Sequence, residues 1–552
     1  MKRFFQFIFF TVIAGSLIMA FTQSKTWTAE EAADIAHRMQ KYVVVEMAYD
    51  LRALPQKDKQ LLQTLIDAGH LIDEIFWRQT YVDNMRLREE LLRTRLPEDP
   101  VRQFFYMQGG PYDRLAHNEP FLKVPPKPPT AGFYPPDMSK EEFEKWIADH
   151  PEDKDAFLSP YTVIRRQNGQ LVAIPYHEAY RDFIIPIAEK LQYAATLTDH
   201  AGFKKYLQTK AQALLTDRYF ETDVAWIDMK DSPYDVVIGP FEVYEDELNN
   251  IKASYEVSVE IVDREESAKL NIYTQHLAAL EMYLPYDDAY KNKDARLTSA
   301  FAIVNDIYRG GDIRVGYQPV AANLPNDPEV HAKKGSKKTF WKNVLQARLN
   351  KIIFPIGERL IAKDQLQYMT GQGFFDFVLM HEISHGLGPR YVHGTRTPVN
   401  VALRDLYSWI EENKADLAGL HSLRYFRETG VISAEMKRQH LVSYLGSIFR
   451  TIRFGTGEAH GKAAIVSLNF LMEKGGIEYN PQTGRYRINF NRIDDAITQL
   501  TQELLTIQAT GNYQRAKQLE DKYAGTPDFV RHSLNQLKDL PIDLIPRYVI
   551  QW

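Results

Sequence analysis

The 552-residue sequence contains no cysteine. Disulfide bonds, thiol catalysis and cysteine-ligated metal sites are therefore excluded, so any metal must be held by histidine, aspartate or glutamate. Excess positive charge is also missing, because the net charge is −5 and no strongly basic block follows the N-terminus. This charge balance gives no reason to expect a nucleic-acid partner. The sequence shows no internal repeat.

The sequence contains one long hydrophobic run, at its N-terminus. Residues 4–21 are nearly all apolar and follow Met1-Lys2-Arg3, a pattern typical of a secretory signal peptide. We therefore predict a signal peptide over residues 1–23 and a secreted or periplasmic protein. Residues 20–22 make a poor cleavage site, so an uncleaved membrane anchor is the alternative and the only membrane contact we expect.

The motif that organises the chain is His381-Glu382-Ile383-Ser384-His385. It ends an apolar run over residues 374–380 that has the character of a helix. Residues four apart on a helix point the same way, so His381 and His385 can present two imidazoles to one metal ion. Glu382 would lie beside the metal, where its carboxylate could take a proton from a bound water. A catalytic zinc needs three protein ligands, so one more ligand is expected elsewhere.

A second block supplies candidates for that ligand. Glu411, Glu412 and Asp416 lie in a helix predicted from about Asp405 to Arg427. Unpaired carboxylates are costly near apolar positions, so one acid is expected to bind the metal and the others to accept hydrogen bonds from the far histidine nitrogens. The alternative is that the acids are solvated and that the histidine motif arose by chance.

Together the two blocks resemble the zinc signature of the dipeptidyl peptidase III family, in which a histidine motif is followed by a Glu-Glu-x-x-Ala-Glu helix. The resemblance implies one Zn²⁺ per chain and a role for each residue of the two blocks. It implies that His381, His385 and Glu412 bind zinc, that Glu382 activates water, and that Glu411 and Asp416 orient the histidines.

This chain departs from the family pattern at three points. The usual motif has one more residue between its histidines, the segment between the blocks is longer in eukaryotic members, and Asp416 replaces a glutamate. The His-Glu-Ile-Ser-His pentapeptide is similar to that of a bacterial branch. Cleft shape and activity level are left open by these departures.

Helical patterns cover residues from about Ala29 to Arg95 and from Phe354 to the end of the chain. The middle of the chain is rich in strand-like segments, at residues 236–244, 253–262, 298–309, 312–319 and 320–323. Two pieces of it also resemble the family, Glu242-Val243-Tyr244-Glu245-Asp246 and Asn323-Leu324-Pro325-Asn326. The resemblance implies that Glu242, Asn323 and Asn326 hold the free amine of a peptide and that Tyr244 contacts the scissile carbonyl. Taken alone, the second piece is an ordinary turn and the tyrosine a structural residue.

His460 follows the metal blocks in the segment 457–461. A lone histidine is more often structural, but the family has a histidine in this setting that stabilises the tetrahedral intermediate. The family's arginine four residues further on is Ala464 here, and Lys462 is a candidate to replace it. We interpret His393 and His421 as non-ligands.

The fold class that we predict is α+β. At this length the chain exceeds one hydrophobic core, and the resemblance implies two lobes around a wide cleft: a mostly helical zinc lobe, and a second lobe with a small antiparallel β-barrel. The predicted bounds are 24–262 for the second lobe, 263–303 for the first part of the zinc lobe, 304–353 for strands returning to the second lobe, 354–524 for the zinc lobe with the metal site, and 525–552 for a C-terminal segment.

The function implied is that of a zinc metallopeptidase that releases dipeptides from the amino end of short peptides, acting as a monomer. Two alternatives stay open. One is another zinc aminopeptidase or an endopeptidase, because the histidine motif is shared by many proteases. The other is a weakly active, zinc-containing peptide-binding protein.

Overall fold

A computed structural model describes residues 29–292 and 300–552 of the chain. The predicted signal peptide lies outside the described residues. Among the residues described, no helix combines the length and the apolar character that crossing a bilayer requires.

The helices are distributed along the whole described chain. In chain order they are α1 (Ala29–Met39), α2 (Gln56–Thr80), α3 (Asn84–Thr94), α4 (Pro100–Gln108), α5 (Lys140–Asp149), α6 (Lys154–Leu158), α7 (Tyr176–Ala179), α8 (Arg181–Leu197), α9 (Ala201–Leu214), α10 (Phe220–Asp228), α11 (Arg264–Gln275), α12 (Leu277–Tyr283), α13 (Pro328–Lys334), α14 (Lys342–Arg348), α15 (Phe354–Leu360), α16 (Gly371–Ser384), α17 (Val399–Leu403), α18 (Tyr407–Glu428), α19 (Met436–Ile452), α20 (Ala459–Glu473), α21 (Ile493–Thr510), α22 (Tyr513–Tyr523) and α23 (Asp528–Asn535).

The strands are shorter and concentrate in the middle of the chain. They are β1 (Tyr42–Asp50), β2 (Tyr112–Asp113), β3 (Glu119–Pro120), β4 (Thr162–Gln167), β5 (Gln170–Pro175), β6 (Tyr234–Glu242), β7 (Ser254–Val262), β8 (Ala300–Gly311), β9 (Ala321–Leu324), β10 (Lys337–Trp341), β11 (Ile477–Asn480), β12 (Arg485–Ile488) and β13 (Asp543–Gln551). The predicted mixture of helices and strands, α+β, is confirmed.

The largest sheet has five strands in the order β6-β7-β8-β10-β9. Its neighbouring strands are antiparallel except β8 and β10, which are parallel. The sheet is therefore mixed, where a purely antiparallel one was expected, and β9 lies at an edge. The strand predicted over 312–319 is wrong, because Asp312–Arg314 form a 3₁₀ turn after Gly311, whose φ is 70°. A closed barrel stays a prediction.

Buried apolar side chains form two large clusters. One lies between the sheet and helices α2, α8 and α9, and the other lies among α16, α18, α19, α20 and α21. Helix α2 approaches the sheet closely at Gly69, where a Cβ atom would lie 2.5 Å from the Tyr308 ring. The helical cluster carries the histidine motif. Two lobes around a cleft, and the domain bounds given above, stay predictions.

Two local predictions are wrong at the ends of the chain. The helical pattern expected from Ala29 to Arg95 is interrupted by β1, and the helical pattern expected after Phe354 ends in β11, β12 and β13. Strands β1 and β13 pair in parallel, from Tyr42 opposite Asp543 to Asp50 opposite Gln551. A short strand is stabilised by its partner, and here the partner lies about 500 residues away, so the local sequence carries little sign of it.

Candidate metal centre

Helix α16 positions the first block of the site. The Thr370 hydroxyl caps its N-terminus by accepting a hydrogen bond from Gly373 N at 3.1 Å. The helix ends at Ser384, so His385 is the first residue beyond it. Its buried apolar side chains, such as Met380 and Ile383, pack into the helical core. The half-buried His381 and His385 are thereby held on the opposite side, facing α18.

Helix α18 carries the three acids of the second block and lies very close to α16. At Gly419 a Cβ atom would lie 2.9 Å from the carbonyl carbon of Met380 and 3.0 Å from His381 N. Any side chain at this position would push the two helices apart. Gly419 therefore permits the approach that puts the acids beside the histidines.

Three atoms converge between the two helices. His381 Nε2 lies 3.1 Å from His385 Nε2 and 3.3 Å from Glu412 Oε2, and the third distance, between His385 Nε2 and Glu412 Oε2, is 3.7 Å. Tetrahedral zinc with bonds of 2.0–2.1 Å would place its ligand atoms about 3.3 Å apart. The three atoms thus form one face of a tetrahedron of the right size.

The outer nitrogens of both histidines are bound by the remaining acids. His381 Nδ1 lies 2.7 Å from Asp416 Oδ1, and His385 Nδ1 lies 2.9 Å from Glu411 Oε1. Carboxylates accept hydrogen bonds, so each Nδ1 carries a proton, and each Nε2, on the side of Glu412, is the atom that could bind a metal.

The Glu411 carboxylate is held from several sides. It lies 2.8 Å from Lys414 Nζ and accepts a hydrogen bond of 2.7 Å from the Gln508 amide. Burial alone would raise its pKa, but Lys414 and His385 lower the pKa of Glu411 to about 2. It therefore remains ionised and keeps the His385 tautomer fixed.

The residues present fit a divalent metal. Glu412 Oε2 is buried and receives no hydrogen bond of good geometry within the described part of the chain. It faces the Nε2 atoms of both imidazoles, and a divalent cation bound between them would give all three atoms a partner. The charges also suit a divalent metal. Four carboxylates, of Glu382, Glu411, Glu412 and Asp416, face the two ammonium groups of Lys338 and Lys414, which with neutral imidazoles leaves two negative charges for a metal to neutralise.

A third histidine reaches the same carboxylate. His460, at the start of α20, places Nε2 3.1 Å from Glu412 Oε2, and its side chain is 65% exposed. The Glu412 carboxylate beside it raises the pKa of His460. His381, Glu412 and His460 thus form a second possible ligand set that overlaps the first. His385 is half-buried and held at Nδ1, whereas no partner within residues 29–292 and 300–552 contacts Nδ1 of His460.

Glu382 has a partner that sequence reasoning missed. Lys338 of β10 is only 7% exposed, and its ammonium group donates to the Glu382 carbonyl oxygen and lies 3.6 Å from Glu382 Oε2. Burial alone would raise the pKa of Glu382, but Lys338 and the two histidines lower it. A lysine in the run Lys337-Lys338 suggests a solvated strand, so the sequence offered no signal.

The second predicted group, the amine-binding residues, gathers at the sheet. Asn326 Nδ2 lies 3.4 Å from Glu242 Oε1 and donates to the Phe241 carbonyl oxygen at 3.1 Å. The Glu242 carboxylate beside Tyr244 raises the pKa of that phenol to about 12, and Tyr244 is 75% exposed. Asn323 is exposed on the edge strand β9, directly opposite Lys338 of β10. Through Lys338, which contacts Glu382, this edge adjoins α16.

The other residues considered from the sequence are engaged elsewhere. His421 Nε2 lies 3.3 Å from the Tyr283 carbonyl oxygen, and the His393 ring packs on Tyr290 at 4.8 Å. Lys462, the candidate to replace the missing arginine, pairs with Glu520 at 2.6 Å. Its ammonium group is therefore already neutralised by a carboxylate outside the metal centre.

Comparison with known proteins gives one family match and two similar proteins with different names. Residues 138–413 match the model of "Peptidase family M49", so the match includes both histidines of the motif and Glu412. The chain is 32% identical to Nudix hydrolase 3 of Arabidopsis thaliana over 94% of this chain and 74% of the plant protein. It is 25% identical to dipeptidyl peptidase 3 of Nematostella vectensis over 54% of this chain and 47% of that protein.

Solved structures extend the likeness over nearly the whole chain. DPP III from Caldithrix abyssi superposes with a TM-score of 0.91 at 42% identity, covering 93% of this chain and 98% of that one. Dipeptidyl-peptidase III from Corallococcus sp. strain EGB superposes with a TM-score of 0.81 at 33% identity, covering 94% and 97%. The resemblance to the dipeptidyl peptidase III family is confirmed, while the bacterial branch stays a prediction. The chain therefore belongs to peptidase family M49 and is a metallopeptidase of the dipeptidyl-peptidase type.

Proposed function

We propose that this protein is a zinc-dependent peptidase that releases dipeptides from the amino end of short peptides. The observation that carries the proposal is the convergence of His381 Nε2, His385 Nε2 and Glu412 Oε2, with Glu382 next to them and an amine-binding group at the adjoining sheet edge. Two histidines and a glutamate are the ligand set of catalytic zinc sites that keep a fourth position for water.

The chemistry divides between the metal and the protein's own groups. Zinc, when bound by His381, His385 and Glu412, supplies a Lewis acid and lowers the pKa of a water towards about 7. The Glu382 carboxylate, ionised beside Lys338, accepts a proton on its free oxygen and returns it to the leaving amine. Glu382 is the general base and acid of this proposal.

Two donors are available for the oxyanion that develops on the scissile carbonyl. The raised pKa of Tyr244 keeps its phenol protonated at neutral pH, so it can donate a hydrogen bond. The His460 imidazole is exposed and held beside Glu412. Both side chains are exposed, so we expect them to contribute more once a peptide is bound.

The amine-binding group fits an ammonium ion. Burial raises the pKa of Glu242, and burial together with the Glu242 charge raises the pKa of the nearby carboxyls of Glu256 and Asp312. A substrate cation beside these acids would favour their ionised forms, and the amide oxygens of Asn323 and Asn326 can accept its remaining hydrogens. This site would bind the amino end of the peptide and so set the length of the product.

The edge strand beside this group can hold the peptide backbone. Strand β9 ends the sheet order, so its outer N–H and C=O groups can pair with an extended peptide. Pairing of this kind is independent of side chains and suits an enzyme that cleaves many peptides. The proposed substrates are accordingly short extended peptides with a free amino end.

The test compares one pentapeptide with a free and with an acetylated amino end, with products identified by mass spectrometry. Each charge-assisted bond to the ammonium is expected to contribute about 1.5–3 kcal/mol. The acetylated peptide should therefore lose about two to three orders of magnitude in kcat/KM. Glu242→Gln should shrink that difference. Glu329→Gln, at an exposed residue of α13 paired with Lys333, is the matched control and should preserve it.

The products decide between the candidate activities. A free dipeptide as the first product supports the proposal. Internal cleavage, or equal rates on the two peptides, would identify an endopeptidase instead. Zinc binding with no cleavage of either peptide would leave the peptide-binding alternative.

A further inference from the structure

Lys338 connects the sheet to α16 through contacts with Glu382. Within residues 29–292 and 300–552, both contacts of its ammonium group are to Glu382, one to the main-chain oxygen and one to the carboxylate. The side chain is 9% exposed and that of Glu382 is 23% exposed. A buried cation is costly unless it is paired, so the lysine is committed to this one partner.

The contact fixes two different parts of Glu382. Near the end of α16 the carbonyl groups lack partners within the helix, and an ammonium group there is favoured by the helix dipole. By holding this carbonyl, Lys338 fixes the backbone of the glutamate. By facing Oε2 as well, it restrains the rotamer of the carboxylate.

Lys338 also lies next to the edge strand β9, where the peptide is proposed to bind. In β10, Lys338 is the residue directly opposite Asn323 of β9. The main chain that carries the proposed amine-binding asparagine is therefore hydrogen-bonded to the strand that carries Lys338. The strand pair and Lys338 therefore link the proposed binding position of the amino end to the Glu382 carboxylate and help to set the distance between them.

We propose that Lys338 is a positioning residue that fixes Glu382 relative to the peptide-binding edge of the sheet. This inference rests on the proposed function, because it assumes that Glu382 accepts the proton of the attacking water. It adds a residue that does not belong to the metal ligands or to their hydrogen-bonding partners. Lys338 itself does not touch the substrate in this proposal.

Lys337 provides a matched control. It is the neighbouring residue of β10, it is also buried at 5% exposure, and its ammonium group pairs with the buried Asp235. Successive residues of a strand point to opposite faces, so Lys337 points away from Glu382. Lys337→Met removes a buried lysine of the same strand without touching the site.

The first experiment measures kcat, KM and zinc affinity in Lys338→Met, Lys338→Arg and Lys337→Met. A misplaced proton acceptor slows the chemical step, so Lys338→Met should lower kcat about 100-fold. Its KM should stay within about threefold, and zinc affinity should be unchanged. Lys338→Arg can still donate to both oxygens, so its kcat should be at least tenfold higher than that of Lys338→Met. Lys337→Met should keep the wild-type kcat.

The second experiment does not depend on activity. Thermal unfolding of the metal-free protein is followed for Lys338→Met, Glu382→Gln and the double variant. If the two side chains interact, Lys338→Met should lower Tm by less than half as much when residue 382 is already glutamine. Should Lys338→Met not fold, Lys338→Gln, which can donate to the carbonyl but carries no charge, takes its place in both experiments.

The outcomes separate this inference from the proposed function. An unchanged kcat in Lys338→Met, additive effects on Tm, or an equal loss of kcat in Lys337→Met would each overturn the positioning role. If the wild-type protein cleaves no peptide, the proposed function fails, and the Tm cycle still shows whether Lys338 holds Glu382. The role would be established if Lys338→Met lost kcat alone, Lys338→Arg restored it, and the Tm effects of Lys338→Met and Glu382→Gln were not additive.

Discussion

His381, His385, Glu412 and His460 make two overlapping ligand sets, and comparing His385→Ala with His460→Ala distinguishes them. Both imidazoles point Nε2 at Glu412 Oε2, at 3.7 Å for His385 and 3.1 Å for His460. Distance alone would favour His460. His385, however, is fixed at Nδ1 by Glu411, whereas the His460 side chain is 65% exposed. A preorganised imidazole loses less freedom on binding metal, so we expect His385 to be the ligand.

The expected magnitudes follow from typical zinc affinities. Apparent binding free energies of about 10–16 kcal/mol shared by four ligands give about 2.5–4 kcal/mol for each. His385→Ala should therefore weaken zinc binding about 100- to 1000-fold. His460→Ala should weaken it less than about tenfold while lowering kcat, because its proposed role is towards the substrate.

The assay is competition for zinc with a chromophoric chelator at fixed pH, on variants whose circular dichroism matches that of the wild type. His393→Ala, at an exposed histidine that packs on Tyr290, is the control and should leave the affinity unchanged. Equal losses of zinc in His385→Ala and His460→Ala would refute the assignment. A larger loss in His460→Ala would move the ligand set to His381, Glu412 and His460.

Four further predictions follow from the structure and the sequence. Glu411→Gln removes the charge that fixes the His385 tautomer and should weaken zinc binding about 10- to 100-fold in the same competition assay; unchanged affinity would contradict the orienting role. Gly419→Ala forces α16 and α18 apart and should lower stability by about 1–3 kcal/mol in chemical denaturation; a wild-type midpoint would show that the helices adjust freely. Burial, and then the nearby Asp235, raise the pKa of Glu260, so its protonated form is favoured in the folded state. The free energy of unfolding should therefore fall as pH rises above 4.5. Glu260→Gln should flatten that dependence in thermal unfolding measured from pH 5 to 8. The N-terminal pattern predicts export, and mass spectrometry of protein from its native host should show a mature end near residue 23; an intact Met1 in the cytoplasmic fraction would contradict it.

Most of what the sequence alone predicts about the metal centre comes from helical spacing. The spacing of His381 and His385 needs only one helix to put both imidazoles on one side, and the acids from Glu411 to Asp416 need only a second helix. The middle strands were likewise visible as runs of β-branched residues. These features depend on neighbours within a few positions, which the sequence displays directly.

Which helices and strands meet was decided by tertiary packing. Gly419 lets α18 approach α16, His460 reaches Glu412 from a third helix, and β1 finds its partner in β13 at the far end of the chain. These contacts join residues that are distant in sequence and are fixed by the burial of whole elements, so no local pattern announces them.

Lys338 shows most clearly what the sequence alone does not reveal. In the sequence it is one of two adjacent lysines in a short strand, where a solvated charge is the ordinary interpretation. In the structure it is buried against Glu382. The sequence alone determined which residues could bind the metal. The packing of the sheet against α16 determined that Lys338 lies against Glu382, the proposed proton acceptor, because only that packing removes both side chains from water and makes them partners.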